Sequence, residues 1–180
     1  MITKKPTYAW YAIYTKAHHE KKIAKAFEEE NIEYYLPLRK SLKQWSDRKK
    51  WIQEPLFSCY IFVKISHIEF YNVLIVPGVM CYVSFGGVPQ TIPNSQIEKL
   101  KLFVSERSTE IVLTRDQIEK GVKAEVVFGA LKGMQGEIVQ IYGQSRFLIR
   151  VESLGCSLYA NISKEEVRVL QPEVRLERRC

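Results

Sequence analysis

The chain has 180 residues, of which 46% are hydrophobic, and this composition excludes an intrinsically disordered chain and allows a buried core. The net charge of +7 is uneven, because residues 1–105 carry 15 Lys and Arg against 9 Asp and Glu, whereas residues 121–170 carry 6 against 5. Such an excess fits a polyanion bound near the first part of the chain, and it fits a role in solubility equally well.

The first part of the chain predicts alternating strands and helices. A strand is expected over residues 8–15, followed by a helix over residues 20–30 with apolar side chains at helical spacing. Asn31 is suited to end that helix, and a short strand follows over residues 32–36.

The next segment predicts a protruding basic hairpin. Six lysines and arginines stand here against one aspartate, and they are Arg39, Lys40, Lys43, Arg48, Lys49 and Lys50. A turn at Ser46-Asp47 would make Trp45 and Trp51 cross-strand partners. Charge runs are usually solvated surfaces, but a protruding basic hairpin also suits contact with phosphates.

Residues 54–65 predict one strand that is apolar on both faces, so we expect a sheet covered by helices on one side only. Trp10 and Tyr14 of the first strand would share the aromatic side with Tyr60 and Phe62. This aromatic face is covered by a second domain or a dimer partner, or it is a recognition surface. RNA-recognition motifs stack bases on such aromatics, but the lead-in here lacks their basic and glycine residues.

Two further helices and one strand complete this part. Ser66 and Glu69 have the spacing of a capping box for a helix that ends near Val76. A strand is expected over residues 79–85, and a last helix begins at Asn94 or Ser95. The order predicts an α+β fold, in which the first six elements match the split βαβ, or ferredoxin-like, arrangement.

The second part changes to short strands separated by glycines, which predict a small five-stranded barrel. The expected division is an N-terminal domain over 1–105, a linker over 106–120, the barrel over 121–170 and a tail over 171–180.

Sites for chemistry are few. The chain has no nucleophile elbow, P-loop or dinucleotide fingerprint, so we expect neither an enzyme nor a cofactor. His18-His19-Glu20 lacks a second cluster of ligands, and no metal site is expected. With no signal peptide, no apolar run of about 18 residues and four widely spaced cysteines, we expect a cytoplasmic protein with free thiols and no membrane contact.

Taken in order, several stretches resemble the NusG-type transcription elongation factors, over residues 8–105 and again over the barrel. The stretches are Trp10-Tyr11-Ala12-Ile13-Tyr14-Thr15 with Glu20, Glu54-Pro55-Leu56-Phe57 before Tyr60-Ile61-Phe62-Val63, Pro77-Gly78-Val79 through Phe85-Gly86-Gly87 to Pro93, Gly121-Val122, and Lys132-Gly133-Met134-Gln135-Gly136. The last two are similar to the KOW pattern, whose fold is an SH3-like barrel.

The resemblance implies an N-terminal domain that grips the clamp helices of bacterial RNA polymerase and suppresses pausing. On the matching positions, polymerase contact falls on Tyr14, Phe57, Tyr60, Phe62, Phe70 and Tyr71, with Ile97 and Leu100 at the rim. Asn72, Lys16 and the basic hairpin would lie near upstream or non-template DNA. Relatives engage Rho or a ribosomal protein through barrel loops that here hold Leu131, Met134 and Leu154.

The chain departs from the general factor in two places. Ser58-Cys59 replaces the usual Pro-Gly, and Gly129-Ala130-Leu131 replaces the usual Gly-Pro-Phe. Both resemble a specialised, operon-specific antiterminator of the RfaH or UpxY type, and they favour a ribosomal protein over Rho. The RfaH C-terminal domain can refold as a helical hairpin, but the β-branched runs here predict the barrel. We expect a monomer. The alternatives are an RNA-binding module and a ribosome-associated KOW protein without polymerase contact.

Overall fold

The computed structural model describes residues 6–45 and 48–170, so the predicted turn at Ser46-Asp47 and the tail lie outside it. The fold is mixed, with many strands and few helices. The first part, here called the N-terminal unit, contains β1 (Ala9–Thr15), α1 (Glu20–Glu29), β2 (Glu33–Tyr35), β3 (Leu38–Gln44), β4 (Lys49–Pro55), β5 (Tyr60–Ile65), α2 (Phe70–Leu74), β6 (Val79–Tyr82), β7 (Ser84–Phe85), β8 (Val88–Pro89), β9 (Thr91–Ile92) and α3 (Asn94–Arg107).

The main sheet of the N-terminal unit has the strand order β2-β5-β1-β6, and β9 also pairs with β1. Its central pair is antiparallel, with Ile13 opposite Ile61 and Ala12 opposite Phe62. Because strand side chains alternate, these two rows face opposite sides of the sheet. Ile13 and Ile61 belong to the buried aliphatic cluster that includes Phe27 of α1.

The aromatic side of the sheet is covered by α3, which corrects the prediction of helices on one side only. The Trp10 indole Nε1 donates a hydrogen bond to Asn94 Oδ1 at 3.0 Å. The Lys101 ammonium lies 5.1 Å from the centre of the Trp10 ring and 5.7 Å from that of Tyr35. The apolar spacing had predicted α3, but it did not predict which side of the sheet the helix covers.

The predicted continuous strand over 54–65 is interrupted. β4 ends at Pro55, residues 56–59 form a turn, and β5 begins at Tyr60. Cys59 adopts the left-handed conformation with φ of 68°, which no strand accommodates. The alternation predicted for Tyr60 to Ile65 is confirmed, because Ile61 and Ile65 belong to the aliphatic cluster and Phe62 to the aromatic side.

The basic segment forms the expected hairpin of β3 and β4, but with different partners. Trp51 stands opposite Leu42 in the register, and the Trp45 amide donates to the Arg48 carbonyl at 2.8 Å. The predicted Trp45–Trp51 pair is therefore wrong. A register is fixed by the length and type of the turn, which composition alone left open.

Near α2 the capping box is only half present. The Glu69 carboxylate accepts hydrogen bonds from the Ser66 amide at 2.9 Å and the Ser66 hydroxyl at 2.7 Å. Ser66 does not cap the helix, because α2 begins only at Phe70, and it ends at Leu74 rather than near Val76. The strand predicted over 79–85 is divided into β6 and β7.

The second part, here called the C-terminal unit, forms one six-stranded sheet with the order β10-β14-β13-β12-β11-β15. Its strands are β10 (Val112–Thr114), β11 (Val122–Val126), β12 (Gln135–Ile141), β13 (Gln144–Val151), β14 (Cys156–Asn161) and β15 (Val167–Val169). β10 comes from the predicted linker, and α3 extends into the start of that linker. Residues 106–120 are thus partly structured.

The rest of the linker segment is fastened to the C-terminal unit by one arginine. The Arg150 guanidinium makes two hydrogen bonds of 2.8 Å to the Glu137 carboxylate and also donates to the carbonyls of Ile118 and Glu119. Glu137 in turn accepts the Gly121 amide at 2.9 Å.

The two units pack against each other through one continuous apolar cluster. It joins Trp10, Phe62 and Phe103 of the N-terminal unit to Phe147 and Leu158 of the C-terminal unit. The rings of Phe103 and Phe147 are 6.2 Å apart. In the described part of the chain, no helix combines the length and apolar character needed to cross a membrane.

Candidate functional site

Four aromatic residues meet where β1 ends and β5 begins, and we call Tyr14, Phe57, Tyr60 and Phe62 the aromatic pocket. Tyr14 stands opposite Tyr60 in the strand register, and their rings make an edge contact at 5.4 Å. The Phe57 ring meets Phe62 edge-on at 5.8 Å. Cross-strand pairing therefore brings together residues that are far apart in the sequence.

Exposure falls steeply from one end of the pocket to the other. Tyr14 is 41% exposed and Tyr60 is half-buried, whereas Phe57 is 2% and Phe62 is 0% exposed. Ile97 and Leu100, which the resemblance places at the rim, are also buried in the shared apolar cluster. Only the tyrosine end of the pocket reaches solvent in this arrangement.

The turn before β5 is held by a buried carboxylate. Glu20 at the start of α1 is almost fully buried, and its Oε1 accepts the Cys59 amide at 2.7 Å. The Cys59 carbonyl accepts the Thr15 amide at 2.9 Å, which ties the turn to the end of β1. Glu20 thus positions Tyr60 beside Tyr14. The matched stretches included Glu20, but its positioning role was not predicted.

The C-terminal unit lies against the aromatic pocket. Burial raises the pKa of the Tyr60 hydroxyl, and the nearby charge of Arg115 opposes that increase. Burial also raises the pKa of the Cys156 thiol to about 11, and Arg115 again acts in the opposite direction. Both groups therefore share a poorly solvated environment in which the tyrosine and the thiol stay neutral.

Polar contacts also join the two units. Arg107 at the end of α3 forms an ion pair with Glu166 at 3.0 Å, and both side chains are partly buried. The Gln96 side-chain amide donates to the Arg150 carbonyl at 3.4 Å. The hydrogen bonds from the Ser163 backbone amide and hydroxyl and from Arg107 hold the pKa of Glu166 below its ordinary value.

The predicted contacts on α2 do not form one surface. Phe70 is half-buried, and its ring lies 5.0 Å from Tyr11 and 4.9 Å from Tyr82. Tyr71 is 71% exposed, and Asn72 beside it is exposed as well. Phe70 therefore packs inside the N-terminal unit, while Tyr71 and Asn72 are accessible to a partner.

The predicted nucleic-acid residues divide into two groups. Glu54 binds Arg39 at 2.7 Å and Lys43 at 3.3 Å, so part of their charge is neutralised within the hairpin. The second group is exposed, and it consists of Lys16 at the end of β1 and of Lys40, Arg48, Lys49 and Lys50 in the hairpin segment; Arg48 also lies over the Trp45 ring.

The residues predicted to bind a partner of the C-terminal unit are largely covered. Leu131 and Met134 are buried in the shared apolar cluster, and the half-buried Leu154 packs against it. Their role stays a prediction. Among residues 6–45 and 48–170, no group of three His, Cys, Asp or Glu side chains is arranged to hold a metal ion.

The aromatic pocket lies in a part of the chain that matches a known protein family. Residues 8–101 match the family model described as "Transcription termination factor nusG". The chain belongs to the NusG family. The matched region contains β1, the turn at 56–59, β5 and the first part of α3, and therefore every residue of the aromatic pocket of this NusG-family protein.

Two solved structures are similar to this chain, and the first of them shares its fold. The structure titled "Domain interaction in Thermotoga maritima NusG" is 20% identical, with a TM-score of 0.55, and the match covers 92% of this chain and 98% of that one. The structure titled "Crystal Structure of MjSpt4:Spt5 complex conformation A" is also 20% identical, with a TM-score of 0.30 and coverage of 89% and 97%.

Proposed function

We propose that this NusG-family protein is a non-catalytic, operon-specific, cytoplasmic factor of transcription elongation and antitermination. It binds the clamp helices of bacterial RNA polymerase through the aromatic pocket and suppresses pausing or termination. The observation that carries the proposal is the pairing of Tyr14 with Tyr60 above the buried Phe57 and Phe62, within the family-matched region. An aromatic cluster with amphipathic tyrosines at its exposed end suits an amphipathic helix as ligand.

We assign the N-terminal unit to the split βαβ, or ferredoxin-like, class and the C-terminal unit to the SH3-like KOW class. The strand order β2-β5-β1-β6, with β1 and β5 central, supports the first assignment. The run of short antiparallel strands from Val122 to Val169 supports the second.

We further propose that the packed arrangement is the resting state of the factor. Phe57, Phe62, Ile97 and Leu100 are buried in the cluster that continues into the C-terminal unit. A polymerase helix can reach the deeper end of the aromatic pocket only after the C-terminal unit has moved away. The affinity for polymerase is then the intrinsic affinity reduced by the fraction of open molecules.

Further contacts follow from the exposed charges. Lys16, Asn72 and the outer face of the basic hairpin are exposed, and we propose that Lys16, Asn72 and the basic hairpin contact upstream or non-template DNA. A ribosomal protein is the proposed partner of the C-terminal unit, through the segments that hold Leu131, Met134 and Leu154.

The test is a double substitution at the exposed end of the pocket. Tyr14→Ala with Tyr60→Ala removes two accessible rings, whereas Phe62 is avoided because truncating a fully buried phenylalanine costs about 3–5 kcal/mol of stability. We expect the affinity for purified polymerase to fall at least tenfold. The far-ultraviolet circular dichroism spectrum should be unchanged, because the fold is retained.

The matched control is Tyr142→Ala, which removes an exposed tyrosine in the β12–β13 turn of the C-terminal unit. It should bind polymerase like the wild type. If the double variant retains polymerase binding and loses only RNA binding, the chain is an RNA-binding module and the proposal is wrong.

A further inference from the structure

The two faces of the β3–β4 ribbon differ in burial. The outer face carries Lys40, Leu42, Gln44, Lys49, Trp51 and Gln53, all of them exposed. The inner face carries Arg39, Ser41, Lys43, Lys50, Ile52 and Glu54, of which four are partly buried. The ribbon therefore presents one face to the rest of the molecule and leaves the other free.

The outer face has an aromatic centre with cations on both sides. Trp51 is 59% exposed and stands opposite Leu42 in the middle row. Lys40 lies in the row on one side and Lys49 in the row on the other, which separates the lysines by roughly 14 Å along the ribbon. Trp51 and the exposed Leu42 together form a small apolar patch with cations at its rim, which is the pattern of a binding surface rather than of a single exposed side chain.

The hairpin's one described acid does not reduce the charge of this outer face. Glu54 lies on the inner face, where Arg39 and Lys43 bind it. The outer face is thus cationic around an apolar centre, and a polyanion with flat apolar groups complements both properties.

We propose that the outer face of this hairpin binds single-stranded DNA, with a base stacked on Trp51 and backbone phosphates at Lys40 and Lys49. A single strand offers free base faces for stacking, whereas a duplex keeps them inside its own stack. A ribbon that reads a duplex groove needs hydrogen-bonding side chains at its centre, and here the centre is Leu42 and Trp51. The choice of DNA rests on the proposed function, in which the hairpin contacts upstream or non-template DNA.

Trp45 has a smaller part in this site. The Arg48 guanidinium lies over its ring, 5.8 Å from the centre, so one face of the indole is already in contact with a cation. Trp51 is therefore the principal stacking residue, and its replacement should have the larger effect.

The test measures fluorescence anisotropy of labelled oligothymidine with the full chain in the absence of polymerase. We expect Trp51→Ala to weaken binding roughly tenfold and Trp51→Phe to keep most of the affinity. Lys40→Gln with Lys49→Gln should reduce the slope of log affinity against log salt by about 1.4, the value for two lost phosphate contacts on a single strand.

Phe85→Ala is the matched control, because Phe85 is an exposed aromatic residue in the separate β7–β8 hairpin. It should leave DNA binding unchanged. The proposal is wrong if Trp51→Ala binds oligothymidine like Phe85→Ala, or if a duplex or oligouridine binds at least as tightly as oligothymidine. Polymerase binding by Trp51→Ala is measured separately, so failure of this site is distinguishable from failure of the clamp-binding proposal.

Discussion

Cys59 occupies a backbone conformation that glycine usually supplies. Its φ of 68° lies in the left-handed region, where a side chain costs about 1–2 kcal/mol. The general factors that this chain resembles have glycine at this position. The cysteine side chain therefore introduces a local strain into the turn that sets the position of Tyr60.

We expect Cys59→Gly to raise the free energy of unfolding by about 1 kcal/mol, because relief of the strain exceeds the extra freedom of glycine in the unfolded chain. Urea denaturation measures the change. Ser58→Gly is the control, since Ser58 has no positive φ and glycine there should stabilise nothing. If the two substitutions change the free energy of unfolding equally, the Cys59 backbone is not strained.

At the scale of elements, the Arg150–Glu137 pair connects β12 and β13 to the linker segment. The hydrogen bonds from Arg150, with a further one from the Gly121 amide, hold the pKa of Glu137 below its ordinary value of 4.5. Because the folded pKa is lower than the unfolded one, the ionised carboxylate stabilises the fold above pH 4.5. That stabilisation is lost as the pH falls through the folded pKa.

Glu137→Gln should therefore be less stable than the wild type by about 1–2 kcal/mol at neutral pH, and the difference should shrink as the pH falls below 4.5. Thermal or urea unfolding across that range measures both effects. Glu28→Gln, at an exposed position on α1, should show no such convergence. A difference that is constant with pH would mean that the ionised pair contributes nothing.

The elements show what local pattern could and could not predict. Alternation along β1 and β5 predicted which side chains share a face, and apolar spacing predicted α3. The turn at 56–59 was missed because its cause is the φ of Cys59 and a hydrogen bond to the distant Glu20. β10 had a signal in Ile111-Val112-Leu113, but three apolar residues do not identify a strand without its partner β14.

The site was predicted unevenly for a similar reason. The resemblance named Tyr14 and Tyr60, whose rings are in contact, while their role in binding polymerase stays a prediction. Burial of Ile97 and Leu100 depends on how the C-terminal unit packs, and a single sequence holds no pattern for contacts between units. The sequence shows that Trp51 is an aromatic residue of the basic hairpin. Which face of the hairpin carries Trp51 follows only from the register that places it opposite Leu42.

At the scale of the whole molecule, the Arg107–Glu166 pair is the contact most readily tested. Arg107→Glu places two negative charges together at the interface between the units. The free energy of packing then becomes less favourable by on the order of 2 kcal/mol, and the ratio of packed to open molecules falls more than tenfold. We expect tighter binding to polymerase and faster proteolysis between the units.

Arg107→Glu with Glu166→Arg restores the attraction and should return both measurements toward the wild type. Lys25→Glu, on the exposed face of α1, is the control for an added negative charge and should change neither. If Arg107→Glu leaves polymerase affinity unchanged, the packed arrangement does not limit binding.

The strand β10 determines how far the C-terminal unit can move from the N-terminal unit once the two have separated. Only residues 108–111 separate the end of α3 from Val112, so a separated unit that keeps β10 paired with β14 stays within about 18 Å of Arg107. Detaching β10 and the Arg150 fastening as far as Val122 extends this radius to about 50 Å. The pairing of β10 with β14 and the hydrogen bonds from Arg150 thus keep most of the linker segment attached to the C-terminal unit. Recapture is a short intramolecular step, and a partner that peels β10 away would prolong the open state without touching the aromatic pocket.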